Sequence, residues 1–247
     1  MKPLIYALCL FLSVSAVQAA PLYVEQVKLS TTDEQKLQEA HKQIKEHSEV
    51  ILKENLFVPP FHKRSKNEST DKKSFCNTCH QSPPHNADER KRSFLNMHSR
   101  YISCETCHFK PENIQLEYHW LNFNEDDNKI SAKRITPFYN KEAVIIFSDH
   151  ELATQAKQTW ENKPSAESSL DELNRERAKL KLDLHTPLSK EGPGCLECHN
   201  NKDPLLDLKS LGFTEKEITK LQQHSIPRFF SRFSKDEQRM RMSDLLQ

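Results

Sequence analysis

Three short cysteine and histidine motifs carry the clearest chemistry in this chain of 247 residues. They read Cys76-Asn77-Thr78-Cys79-His80, Cys104-Glu105-Thr106-Cys107-His108 and Cys195-Leu196-Glu197-Cys198-His199. Each is Cys-x-x-Cys-His, the pattern by which proteins attach c-type haem. Cysteines at i and i+3 lie on one side of a helical turn and can reach two vinyl groups, and the next histidine can bind the iron. The motifs predict three covalent haems, six thioether cysteines and the proximal ligands His80, His108 and His199.

Disulfide bonds and zinc are the alternative uses for these cysteines. Neither use requires a histidine directly after each cysteine pair, so the pattern favours haem. The remaining cysteine, Cys9, lies inside an N-terminal apolar run. All the other cysteines therefore belong to motifs.

The N-terminus is typical of a secretory signal. Lys2 is followed by an almost wholly apolar run from Leu4 to Val17 and by small or apolar residues up to Ala19. We expect residues 1–19 to be a signal peptide cleaved near Ala19, which places the protein in the periplasm; an uncleaved anchor is the alternative. No later apolar run reaches 18 residues, so we expect no stable membrane span in the mature chain.

Composition narrows the function classes. Only 36% of residues are hydrophobic, and haem would supply apolar core that the side chains lack. The formal charge is +1, and cleavage before residue 20 would remove Lys2 and bring it to about zero, so nothing indicates a nucleic-acid partner. Three glycines are too few for a phosphate-binding loop.

Nine histidines outside the motifs are candidates for the sixth iron ligand, whereas Met97, Met240 and Met242 are the only methionines after Met1. The abundance of histidine therefore favours bis-histidine iron. The nine are His41, His47, His62, His85, His98, His119, His150, His185 and His224. An ordinary solvated or hydrogen-bonded histidine is the alternative at every one of these positions.

With three Cys-x-x-Cys-His motifs and histidines shortly before two of them, the chain resembles the periplasmic multihaem c-type cytochromes with bis-histidine haems. In that family, such upstream histidines commonly bind a haem on its far side, often a neighbouring one. The resemblance makes His98 and His185 the first candidates for distal ligands. His85, five residues past His80, is the third candidate and is better placed to reach a neighbouring haem. The resemblance covers residues 74–125 and 185–200 only.

The predicted fold is mostly α with irregular loops, organised around covalently bound haems, with little or no β-sheet. We expect helices over 31–55, from the Ser148/Glu151 capping box to about 162, from Ser168 or Ser169 to about 184, over 205–211, and from Thr214 to His224. Within 135–147 we expect a single strand or buried extended segment. Beyond the signal peptide, the predicted units are an N-terminal helical segment (20–65), a dihaem module (66–125), a connecting region (126–165) and a helical segment carrying the third haem (166–247).

These features predict an electron carrier rather than an enzyme. Its partners would be other redox proteins, with a membrane quinol-oxidising complex or an outer-membrane cytochrome complex as candidates. Two alternatives remain at this stage: a multihaem reductase with one open haem site, and an electron-transfer subunit of a larger complex. Basic residues near the C-terminus could dock an acidic partner or form ordinary solvated surface.

Overall fold

The computed structural model describes residues 20–46, 74–80, 84–85, 91–123, 133–165 and 168–233, and also 238, 241 and 243. The expected signal peptide lies outside these residues. In the described ranges the helices are α1 (Leu22–Leu29), α2 (Glu34–Glu46), α3 (Arg92–His98), α4 (Cys104–His108), α5 (Glu151–Glu161), α6 (Leu170–His185), α7 (Cys195–Cys198), α8 (Glu215–Gln222) and α9 (Ser225–Arg232). A short 3-10 helix spans Phe75–Thr78. The mostly helical fold class is thus confirmed.

A small antiparallel sheet joins β1 (Glu117–Asn122), β2 (Lys133–Tyr139) and β3 (Glu142–Ala143) in the order β1-β2-β3. The tight turn between β2 and β3 places Asn140 and Lys141 at positive φ. The sequence indicated one extended segment in this region, and β1 was not predicted. Residues Val144 to Ile146 are buried but continue past β3 without forming a strand.

Among the described residues, apolar side chains form three separate clusters. The largest joins α1 to Phe75, Phe109, α5 and the end of α6. A second cluster packs Ile135 of β2 against Leu206, Leu208 and Leu211, and a third packs α2 against Ala178 of α6. Among the described residues, no helix combines the length and the apolar character needed to cross a membrane.

Two of the predicted helix starts are confirmed by their hydrogen bonds. The Ser169 hydroxyl accepts from the Glu172 amide and the Glu172 carboxylate accepts from the Ser169 amide, which begins α6. Thr214 and Glu217 cap α8 in the same reciprocal way. Since each box needs only residues three apart, such signals can be read from sequence.

Three helix predictions are corrected. Residues 205–211 form turns that end at Gly212, whose φ is +86°, rather than a helix. The α5 cap is His150, whose Nδ1 accepts from the Leu152 amide, rather than Ser148. The predicted helix over 31–55 is shorter at its start and is described only to Glu46, while α1 before it was not expected.

The end of α6 is fixed by one buried hydrogen bond. The Tyr23 hydroxyl of α1 donates to the carbonyl oxygen of Leu184 at 2.9 Å, and Tyr23 is only 3% exposed. We expect Tyr23→Phe to lower the free energy of unfolding by about 1–2 kcal/mol, because the buried carbonyl loses its donor. Urea unfolding measures the change. Tyr139→Phe, at a side chain 36% exposed, is the control and should change it by less than about 0.5 kcal/mol; equal effects would contradict this role for Tyr23.

Candidate functional site: paired histidines at the three motifs

Each Cys-x-x-Cys-His motif folds as one helical turn. The first motif occupies the 3-10 helix and its end, the second forms α4, and the third begins α7. The His80 and His199 amides donate to the carbonyls of Cys76 and Cys195, at 2.9 and 3.0 Å. In each motif the two cysteines therefore lie one turn apart with the histidine directly after them.

None of the six motif cysteines forms a disulfide bond, and burial or mutual contact shifts the pKa of five of them: Cys76, Cys79, Cys104, Cys107 and Cys198. Burial raises the pKa of Cys107 to about 11 and that of Cys198 to about 12. A hydrogen bond between Cys76 and Cys104, together with burial, raises the pKa of Cys76 well above its usual value, and the same hydrogen bond lowers the pKa of Cys104.

Each motif histidine faces a histidine from another part of the chain. The ring centres of His80 and His185 lie 5.9 Å apart with 71° between the ring planes. Those of His108 and His85 lie 6.4 Å apart at 25°, and those of His199 and His98 lie 6.0 Å apart at 73°. The partners are the three histidines favoured by sequence as distal ligands. Two of the pairs join the predicted dihaem module to the segment over 166–247.

His98 and His185 are oriented by the same local device. Each is the last residue of a helix, α3 or α6, and its Nδ1 donates to the carbonyl four residues earlier. The Nδ1–oxygen distances are 2.7 Å to Phe94 and 2.6 Å to Lys181. Because a carbonyl can only accept, Nδ1 carries the proton and Nε2 keeps its lone pair in the neutral ring. Both rings thus present a metal-binding nitrogen away from their own helix.

His85 is held by one residue, Asn96 of α3. The Asn96 Oδ1 accepts from the His85 amide at 3.0 Å and lies 3.2 Å from Nδ1, while Nδ2 donates to the His85 carbonyl at 2.9 Å. This clamp was not predicted, since an asparagine eleven residues away carries no local sequence signal.

The motif histidines His108 and His199 are fixed by backbone carbonyls. His108 Nδ1 donates to Ser189 at 3.0 Å, and His199 Nδ1 donates to Leu221 at 2.9 Å. Their Nε2 atoms are therefore the ones free to bind a metal. Burial is the main cause of a lowered pKa at His80 and His199, which favours the neutral, metal-binding form.

The three motifs are contiguous, with the second in the middle. Cys76 of the first motif donates a hydrogen bond to Glu105 of the second at 3.3 Å, and Cys107 of the second is near enough to Cys198 of the third to affect its pKa. The segment before the third motif lies against the second: Phe109 forms a bridge with Leu188. A Cβ atom on Gly192 would lie 3.4 Å from the Cβ of Cys107.

Glu105 is a buried acid between the first two motifs. It is 3% exposed, its Oε1 lies 3.3 Å from the Cys76 Sγ, and burial raises the pKa of its carboxyl. The burial of Glu105 was not predicted, because Glu105 occupies a variable position of its motif.

The other described histidines belong to none of the three ring pairs. His150 and His224 cap α5 and α9, accepting from the amides of Leu152 and Ile226. His119 lies at the surface 3.2 Å from Glu117, and His41 lies 3.5 Å from Asp171. His47 and His62 lie outside the described residues, as do Met240 and Met242.

Comparisons with protein-family models, with curated proteins and with solved structures found no match. Within the described ranges, no three or more His, Cys, Asp or Glu side chains gather into a group that could hold a metal ion by themselves. These ranges do contain three facing imidazole pairs, with ring centres 5.9, 6.4 and 6.0 Å apart.

The close approach of Gly192 to the second motif gives a direct test of this packing. We expect Gly192→Val to lower the free energy of unfolding by about 1–3 kcal/mol, since the branched side chain would overlap Cys107 and its backbone. Gly194→Val is the matched control, because only the flexible end of Glu197 lies near that position, at 3.7 Å. Urea unfolding of both variants measures the difference; a Gly194 variant as unstable as the Gly192 variant would contradict the packing.

Proposed function

We propose that the chain is a periplasmic trihaem c-type cytochrome that transfers electrons between redox partners. The observation that carries the proposal is the pairing of all three motif histidines, with ring centres 5.9, 6.4 and 6.0 Å from those of His185, His85 and His98. Export to the periplasm rests on the N-terminal sequence alone.

The spacing of the pairs fits two axial ligands of one iron. A metal–imidazole nitrogen bond of about 2 Å and a ring radius of about 1.1 Å put two axial ring centres about 6 Å apart. Porphyrin supplies four nitrogens, so a haem iron needs two protein ligands rather than a cluster of three or four. The cysteines one turn before each motif histidine are the attachment points that covalent haem requires.

Haem iron supplies one-electron chemistry when it is bound. The protein would hold the six imidazole rings in place and keep the three haem sites next to one another. Five of the six rings have Nδ1 fixed by a backbone carbonyl or by Asn96, which holds the ring orientation and raises ligand basicity. The hydrogen bond from Cys76 to Glu105 and the bridge between Phe109 and Leu188 support the order first, second and third for the three sites.

The pairing favours a carrier over a reductase. A reductase needs a motif histidine whose opposite side is open to substrate, whereas each of the three faces a second imidazole. An electron-transfer subunit of a larger complex would use the same three pairs and would differ only in what its surface binds.

The pairs are tested by removing one partner at a time. In the haem-loaded protein, we expect His85→Ala, His98→Ala and His185→Ala each to convert one of three haems from low spin to high spin, because one axial ligand is lost. Low-temperature EPR and the visible spectrum measure the fraction converted, which should be about one third in each variant. His119→Ala, His150→Ala and His224→Ala are the controls and should leave all three haems low spin.

Two outcomes would contradict the proposal. One is a protein that carries no covalent haem after production in a host with haem-attachment machinery. The other is a control variant that converts a haem to high spin while the His85, His98 or His185 variant converts none. That result would assign a distal ligand to another histidine.

A further inference from the structure

Tyr23 of α1 lies between the two chain segments that carry the first histidine pair. Its ring packs against the ring of Phe75, the residue before Cys76, with ring centres 5.9 Å apart. Its hydroxyl donates at 2.9 Å to the carbonyl of Leu184, the residue before His185. One side chain thus joins the turn of the first motif to the end of the helix that carries the facing histidine.

The carbonyl of Leu184 depends on this donor because α6 ends there. The last carbonyls of a helix lack the amides of a following turn, which would otherwise donate to them. Pro187 has no N–H, and the amide of Leu188 donates to the carbonyl of His185 instead, at 2.9 Å. Leu184 is only 7% exposed and its bond to the tyrosine is buried, so water is a poor substitute for the hydroxyl. A group bound at the neighbouring pair can only reduce that exposure.

The His185 ring is held by a hydrogen bond within its own helix. Its Nδ1 donates to the carbonyl of Lys181, one turn earlier, at 2.6 Å. The position of the ring therefore follows the last turn of α6, and the hydroxyl of Tyr23 attaches that turn to α1. The buried residues of α1 belong to the largest apolar cluster, so the attachment is to a well-packed part of the fold.

We propose that Tyr23 is a positioning residue for the first haem, because its hydroxyl holds the last turn of α6 where His185 can stay on the iron opposite His80. This inference rests on the proposed function. Without the hydroxyl, the last turn of α6 would open more often, and His185 would leave the iron more often. The first iron would then admit small ligands while the second and third sites stay closed.

The test is the rate at which carbon monoxide binds to the haem-loaded protein after reduction by dithionite, followed by stopped-flow absorbance. Carbon monoxide binds ferrous haem only where the sixth position is free, so its rate reports how often the distal histidine leaves. In Tyr23→Phe we expect binding to become about 10-fold faster for about one third of the haem, since one buried hydrogen bond is lost. The variant keeps the ring, which contacts Phe75 and Phe109.

Ser169→Ala is the matched control, because it weakens the same helix at its other end. It removes the side-chain cap of α6, at a cost to stability similar to that of losing a buried hydrogen bond, about 24 Å along the helix from His185. We expect carbon monoxide to bind this variant at the wild-type rates.

Double variants show whether Tyr23 acts through His185. His185→Ala alone should open the first haem, and adding Tyr23→Phe to it should accelerate no further haem. His98→Ala opens the third haem instead, so adding Tyr23→Phe there should raise the accelerated share from about one third to about two thirds.

Rates in Tyr23→Phe equal to those of the wild type would overturn the inference. Equal acceleration in Ser169→Ala would also overturn it, since a general loss of helix stability would then explain both results. Acceleration of a further haem in the His185→Ala background would overturn it as well, because Tyr23 would then act on another site. A protein with no covalent haem would contradict the proposed function, and the inference with it.

Discussion

The proposed site depends on imidazole rings from distant parts of the chain facing each other. His80 meets His185 and His98 meets His199 across about 100 residues of sequence, so these pairs bring together elements that are far apart in the chain. Among the described residues, side-chain packing forms three separate apolar clusters. In the proposed function, a haem iron bound between each pair would close these long loops. The apolar porphyrin would add to the core of a chain in which only 36% of residues are hydrophobic.

Helix capping, helix packing and local hydrogen bonds position the histidine rings that form the pairs. The capping box at Ser169 sets where α6 begins, packing against α2 and the Tyr23 hydrogen bond hold its two ends, and His185 is its last residue. The Nδ1 bond to the carbonyl of Lys181 then turns the ring outward. α3 shares only this last feature with α6, a bond from the His98 Nδ1 to the carbonyl of Phe94, and within α3 Asn96 holds His85 for a different pair. One seven-residue helix thus positions a ring for the second pair and another for the third.

The features predicted from the sequence depend on residues close together in the chain, and the features that were missed depend on contacts between distant residues. The capping box at Thr214, which spans three residues, was predicted correctly, and Ser169 is one of the two caps predicted for α6. The capping box predicted at Ser148 was wrong, because His150 caps α5. Strand β1 was missed because it exists through pairing with β2, ten residues further on and across residues outside the described ranges. The three motifs were evident from spacing, and His85, His98 and His185 were favoured, but their assignment depends on tertiary contacts such as that between Asn96 and His85. Nothing local marked His150 and His224 as helix caps, since their caps use a ring nitrogen in place of the usual hydroxyl or carboxylate.

The angles between the paired rings lead to the most direct measurement, an EPR spectrum of the oxidised wild-type protein at low temperature together with its haem-to-protein ratio. Nearly perpendicular axial imidazoles leave two iron d orbitals close in energy and give one large g value, whereas nearly parallel rings separate them and give a rhombic signal. With planes at 71°, 73° and 25°, the account predicts three haems per chain, two low-spin signals of the first kind and one of the second. A haem ratio other than three, or a substantial high-spin signal in the intact protein, would contradict it.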